Sequence, residues 1–177
     1  MGTTTLLTLE QFERIEGDDH LELLKGELIR LPPPQYEHMQ ACEDLYDNLK
    51  IAVKELRARH PEISIGKAHM EMGYFFPGDP PSWLRPDVSI TYPNQTIDRY
   101  YIGAPLIVFE IVSEFDTAAQ IAEKVALFLA NGAKEVWVIY PETRSAWLYD
   151  GSGTAHERTS IATPLLPGIE IQIEEIL

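Results

Sequence analysis

A chain of 177 residues with 45% hydrophobic and 24% charged side chains has ordinary globular composition, and its length suits one domain. No run of about 18 apolar residues exists, which excludes a helical membrane span, and a single cysteine, Cys42, excludes an intrachain disulfide or a thiolate metal cluster. The formal net charge of −14 argues against a protein that grips nucleic acid through a basic footprint.

Residues 1–5 lack the basic segment and apolar stretch of a signal peptide, so the cytoplasm is the expected location. Thr8 and Gln11 stand at capping-box spacing and open a short helix. Apolar runs at 21–24 and 27–31 flank Lys25-Gly26 and read as a hairpin, ended by three prolines at 32–34. Met39, Cys42, Leu45, Leu49, Val53 and Leu56 recur at steps of three and four, so residues 36–59 form the longest amphipathic helix, stopped by Pro61. Segments 63–68, 70–76 and 88–92 are strand-like, 77–81 is a rigid Pro-Gly loop, and 94–103 is polar loop or irregular helix. The almost wholly apolar run 106–112 reads as a strand buried on both faces. A helix capped by Asp116 follows over 117–131 and ends at Gly132. Strands are expected at 135–140 and 146–149, a turn at 150–153, and an edge strand at 168–173. The strand–helix–strand unit over 106–140 predicts a parallel, right-handed crossover. The whole is one domain of α/β or α+β class, a sheet with the long helix on one face, and its N-terminal helix and hairpin lie at about 8–31.

Three polar residues stand out against this scaffold. Glu110 interrupts the apolar run, and a buried carboxylate needs a partner, a proton or a metal. Strand alternation puts it on one face with Val108 and Val112. Lys124 lies within or beside the inward stripe of Ile121, Val125 and Phe128, where an ammonium must snorkel to water or meet an anion. Asp87, after Pro86, precedes the strand at 88–92. Two acids on neighbouring strands with a lysine nearby suit a hard divalent cation and a phosphodiester. Each also has a plainer reading: Asp87 as a turn cap, Glu110 as a structural acid paired with Arg85 or Lys124, Lys124 as a snorkelling side chain. No histidines stand at zinc-like spacing, and Ser113 has no base at hand for nucleophilic catalysis.

Pro86-Asp87, Glu110 to Ser113 in the pattern Glu-x-Val-Ser, and Lys124 followed by Gly132 and Glu135-Val136-Trp137 resemble the Uma-type putative restriction endonuclease family of the PD-(D/E)XK nuclease superfamily. Gly26-Glu27-Leu28, His38 and Leu166-Pro167-Gly168 extend the resemblance over most of the chain. It implies a restriction-endonuclease-like fold, a central mixed β-sheet flanked by helices. It also implies a Mg²⁺-dependent endonuclease acting on DNA, with Mn²⁺ as a substitute ion. Asp87, Glu110 and the Ile111 carbonyl would hold the metal, whose acidified water attacks phosphorus. Lys124 would take the place of the superfamily's strand lysine, whose position is Val112 here, and orient that water. Glu27, through water, His38, on phosphate, and Ser113 would be accessory. A homodimer is expected, because nucleases that cut both strands pair two sites by symmetry. The chain departs from the family at Gln120, Phe128 and Glu114, where an acid, a tyrosine and a proline are common. Together with the charge of −14, these departures keep a second reading open: a binding or regulatory protein on a nuclease scaffold, without significant turnover. A hydrolase of small phosphate esters is a third.

Overall fold

The computed structural model describes residues 6–15 and 20–177, so the reading of residues 1–5 lies outside them. Helix α1 (Leu9–Glu13) opens with the predicted box: Thr8 accepts from the Gln11 amide, and Gln11 answers to the Thr8 amide. The hairpin β1 (Leu21–Leu24) and β2 (Glu27–Arg30) follows, turning at Lys25-Gly26, both at positive φ. Helix α2 (Tyr36–Arg59) buries Cys42, Leu45, Leu49, Val53 and Leu56, most of the stripe read from its spacing.

Three short strands come next: β3 (Ala68–Met70), β4 (Tyr74–Phe76) and β5 (Ser82–Leu84). Then come β6 (Val88–Ile90), β7 (Tyr101–Ile102), β8 (Ile107–Ile111), α3 (Ala118–Ala130) and β9 (Glu135–Tyr140). The chain closes with β10 (Ser145–Asp150), β11 (Ala155–Arg158), β12 (Ser160–Ile161) and β13 (Ile171–Gln172).

The strands form a six-stranded mixed sheet ordered β11-β10-β9-β8-β6-β3 and a five-stranded sheet ordered β2-β1-β5-β4-β7. Strands β8 and β9 are parallel, with Glu110 opposite Val138, as the crossover through α3 requires. Side chains of β8 alternate as the pleat dictates. Ile107, Phe109 and Ile111 join a core with α2, while Val108 and Val112 join a second core with Val125 and Phe128 of α3. Tyr74, Phe76, Leu84 and Leu24 of the five-stranded sheet enter that second core. The six-stranded sheet is thus covered by α2 on one face, and by α3 with the second sheet on the other. Glu110 belongs by parity to the α3 face.

The structure corrects several boundaries. Residues 63–67 are not a strand: the Gly66 amide donates to the Thr91 carbonyl at 2.8 Å, and the Lys67 amide to the Thr91 hydroxyl at 3.0 Å. A Cβ on Gly66 would lie 2.5 Å from the Thr91 and Tyr92 carbonyls, so close backbone approach replaces ladder pairing there. The expected strand at 70–76 is two strands in different sheets. Glu71 turns the chain with φ 48°, and Gly73 lets the Trp83 ring lie against the backbone. Helix α3 is capped by Thr117, not Asp116; Thr117 and Gln120 make a capping box. Segment 94–103 ends in β7, which pairs parallel with β4. The tail strand β13 pairs with β12 in a separate ribbon rather than extending the main sheet. Strands β5, β11 and β12 had no expectation.

Candidate active site

The register Val88 opposite Phe109, carried one residue further, sets Asp87 beside Glu110 and Ile111. The contact is direct: the Ile111 amide donates to Asp87 Oδ2 at 2.7 Å. Asp87 Oδ1 lies 3.2 Å from His38 Nε2, on the first turn of α2. Hydrogen bonding to Asp87 raises the pKa of His38 against the opposing effect of burial. These residues, with Glu110, Lys124 and Ser113, line one cleft of about 940 Å³.

Glu110 retains some surface in the cleft, yet its Oε1 is sealed from water and has no hydrogen-bond partner among the described residues. Burial pushes its carboxyl well up; the Lys124 charge opposes this, and Asp87 and Glu22 add to it. Lys124 reaches the same place from α3. Burial alone would lower its pKa, but the Glu110 and Glu22 carboxylates outweigh it and hold the ammonium charged. Its direct partner is Glu22, with Nζ 2.7 Å from Oε2. The other Glu22 oxygen accepts from the Arg85 amide at 2.9 Å.

Glu22 is fully buried on β1 and was not among the residues expected at the site. The signal that found Glu110 was available for it too: a lone acid inside the apolar run Leu21 to Leu24. Glu27, which the resemblance implies as an accessory acid acting through water, is exposed on β2 as a hairpin surface acid and is not among the residues lining the cleft. Pairing with Leu24 fixes its position at the turn end of β2. Ser113 lines the cleft, but its amide and hydroxyl both donate to Asp116 Oδ2, at 2.8 and 2.7 Å. That bond turns the chain from β8 towards α3, and Asp116 is spent there rather than on the helix cap.

The donor set suits a hard cation. Asp87 and Glu110 supply carboxylate oxygens, and the buried Glu110 Oε1 is an acceptor with no hydrogen-bond partner among the described residues. His38, Cys42 and Asp87 also bring potential ligand atoms within 4.8 Å of one another. Burial raises the pKa of the Cys42 thiol far above its ordinary value, so in the metal-free chain Cys42 stays protonated.

Two covered sheet faces and an acid–acid–lysine cleft at the end of β8 define a mixed α+β protein of the restriction-endonuclease-like class. The profile of the Uma2 family, described as "Putative restriction endonuclease", matches residues 9–176, and the chain belongs to that family. No protein with a curated description matches it. Among solved structures it resembles a putative nuclease of the DUF820 group from Anabaena variabilis. The TM-score is 0.80 at 19% identity, over 96% of this chain and 97% of that one. Among the described residues, no helix is long and apolar enough to cross a membrane.

Proposed function

We propose that the chain is a divalent-metal-dependent endonuclease, with Mg²⁺ the expected ion and Mn²⁺ a substitute, that hydrolyses phosphodiester bonds in DNA. The observation that carries this reading is convergence. Asp87, Glu110 and Lys124 come from three elements and line one open cleft, where a sealed carboxylate oxygen has no hydrogen-bond partner among the described residues. Membership of a family described as "Putative restriction endonuclease" supports the same reading. Asp87, Glu110 and the Ile111 carbonyl would hold the ion. When bound, the ion supplies an acidic water and draws charge from the phosphate. Asp87 is kept in register by the Ile111 amide, so its free lone pairs face a fixed point. The Lys124 ammonium stabilises the negative charge that builds on the phosphate oxygens. His38 stands behind Asp87 and limits its rotation.

A second reading, a nuclease scaffold that binds without turnover, is favoured by one observation. Glu37, Glu71, Glu114, Asp116 and Glu142 share the cleft lining with the cations Arg85, Lys124 and Arg144, in a chain of net charge −14. Such a lining repels a polyanion unless cations are bound.

Incubation of supercoiled plasmid with the chain in Mg²⁺, Mn²⁺ or EDTA separates the readings. The nuclease reading expects cleavage that needs the ion and falls at least about 100-fold in Asp87→Ala, Glu110→Ala and Lys124→Ala. Ion binding by the parent chain without cleavage, or cleavage that survives Asp87→Ala, refutes it. A homodimer remains part of the proposal, since cutting both strands calls for two sites. Sedimentation of the parent chain at the concentrations that cleave tests it, with a monomer as the contrary result.

A further inference from the structure

Among the described residues, Glu22 is the one fully buried carboxylate of the cleft region that the proposed chemistry leaves without work. Its two oxygens bind two different elements, the Arg85 amide ahead of β6 and the Lys124 ammonium of α3. One residue before Lys124, Glu123 makes an ion pair of 2.8 Å with Lys25, at the turn of the same hairpin. Adjacent positions of α3 are therefore tied to the hairpin by two ion pairs of opposite polarity. One is sealed and the other is exposed. Leu24 packs into the same core as Val125 and Phe128, so the hairpin is docked against α3 by apolar contact as well.

A lysine on a helix has four flexible carbons between its backbone and its charge, and it must be held if the charge is to sit at one point. Around Lys124, Glu110 comes from β8, Asp87 from the turn before β6 and Glu22 from β1. The first two are the proposed metal ligands, so Glu22 is the anion left to hold the amine once an ion is bound.

Building on the nuclease reading, we propose that Glu22 is the positioning residue for Lys124, and that the β1–β2 hairpin is thereby a working part of the active site. Glu22 touches neither the scissile phosphate nor the ion. It fixes where the ammonium stands relative to Asp87 and Glu110.

Glu22→Gln is the direct test. The amide oxygen can keep the Arg85 amide bond, while the NH₂ group faces the ammonium donor to donor. The expected result is a fall in kcat of about 100-fold, in line with loss of one positioned catalytic group. KM for a short DNA duplex and Mn²⁺ affinity should stay within about threefold, because neither depends mainly on where the amine stands. Reductive methylation mapped by mass spectrometry gives a readout without turnover. Lys124, protected in the parent, should react like a surface lysine in Glu22→Gln. Glu22→Asp keeps the charge one methylene further back, and should lose only about tenfold in kcat; it carries the test if Glu22→Gln does not fold. Lys25→Ala, which breaks only the exposed pair, should leave kcat and protection unchanged. Unchanged kcat and protection in Glu22→Gln would overturn the proposal. So would a parallel loss of Mn²⁺ affinity, which would make Glu22 a ligand, or equal losses in Lys25→Ala, which would make the hairpin merely structural. If the parent cleaves nothing, the nuclease reading fails alone, and the methylation pattern still decides whether Glu22 holds Lys124.

Discussion

Replacing Glu110 by glutamine should stabilise the metal-free protein at neutral pH. The carboxyl pKa is raised well above 4.5 by burial, so the folded state keeps a proton that the unfolded chain releases. Below pH 4.5 both states are protonated and Glu110 costs nothing. As pH climbs from there towards the raised folded value, each unit removes about 1.4 kcal/mol of stability, and above that value the penalty is constant. Glutamine has the same shape and no charge to bury. For a chain of this size about 1 kcal/mol moves Tm by ~2–4 °C, so each pH unit inside the window should open a gap of roughly 3–6 °C. Thermal melts of parent and Glu110→Gln in EDTA from pH 4 to pH 8 measure it. The two curves should coincide near pH 4 and separate with the variant on top. Millimolar Mg²⁺ should then raise the parent's Tm and not the variant's, since an ion that binds only the native state stabilises it by mass action. A variant that melts below the parent at pH 7 in EDTA would refute the reasoning. It would mean that the carboxylate is charged and well paired with Lys124, as a structural ion pair is, and that no ligand is needed to explain it.

Asp87→Ala leaves the Ile111 amide without its acceptor and His38 without its partner; calorimetry should show a loss of ~1–3 kcal/mol, and the Mg²⁺-dependent rise in Tm should vanish. His69 contacts the Tyr101 hydroxyl at 3.4 Å, across the two sheets, and burial lowers its pKa below 6.5. Its contribution is full above about pH 6.5 and lost as pH falls through the lowered folded value, so His69→Gln should flatten the decline in Tm between pH 7 and pH 5. Gly66→Ala sets a methyl 2.5 Å from two carbonyls that cannot retreat without breaking the bond from Gly66 to Thr91; urea denaturation should report a loss of more than ~2 kcal/mol.

Periodicity carried the larger elements. The stripe of α2 and the apolar run of β8 are long enough for burial to fix their phase, and the crossover through α3 follows from their order. Local pattern failed where tertiary contact decides. Residues 70–76 read as one strand because nothing in their alternation records that Glu71 adopts φ 48° and hands the chain from one sheet to the other. Strand β5 is three residues set between prolines, and it exists because β1 and β4 flank it. At the site, Asp87, Glu110 and Lys124 were legible as polar residues in apolar or motif settings. Glu22 was passed over for Glu27, which lies on the other strand of the hairpin opposite Leu24. Both acids belong to one hairpin, and the sealed one is the acid with a leucine on each side, the setting that marked Glu110, while the exposed one follows the turn glycine.

The route by which Lys124 is held bears on how such chains are recognised. A version that began at α2 would still carry the proline, both cleft acids, the helix lysine and the tryptophan strand, and a search for those letters would score it intact. It would lack the strand that supplies Glu22, and the amine would swing free on its tether. On the proposed reading, surveys of degraded or shortened copies should therefore count the buried glutamate of the first hairpin beside the cleft residues.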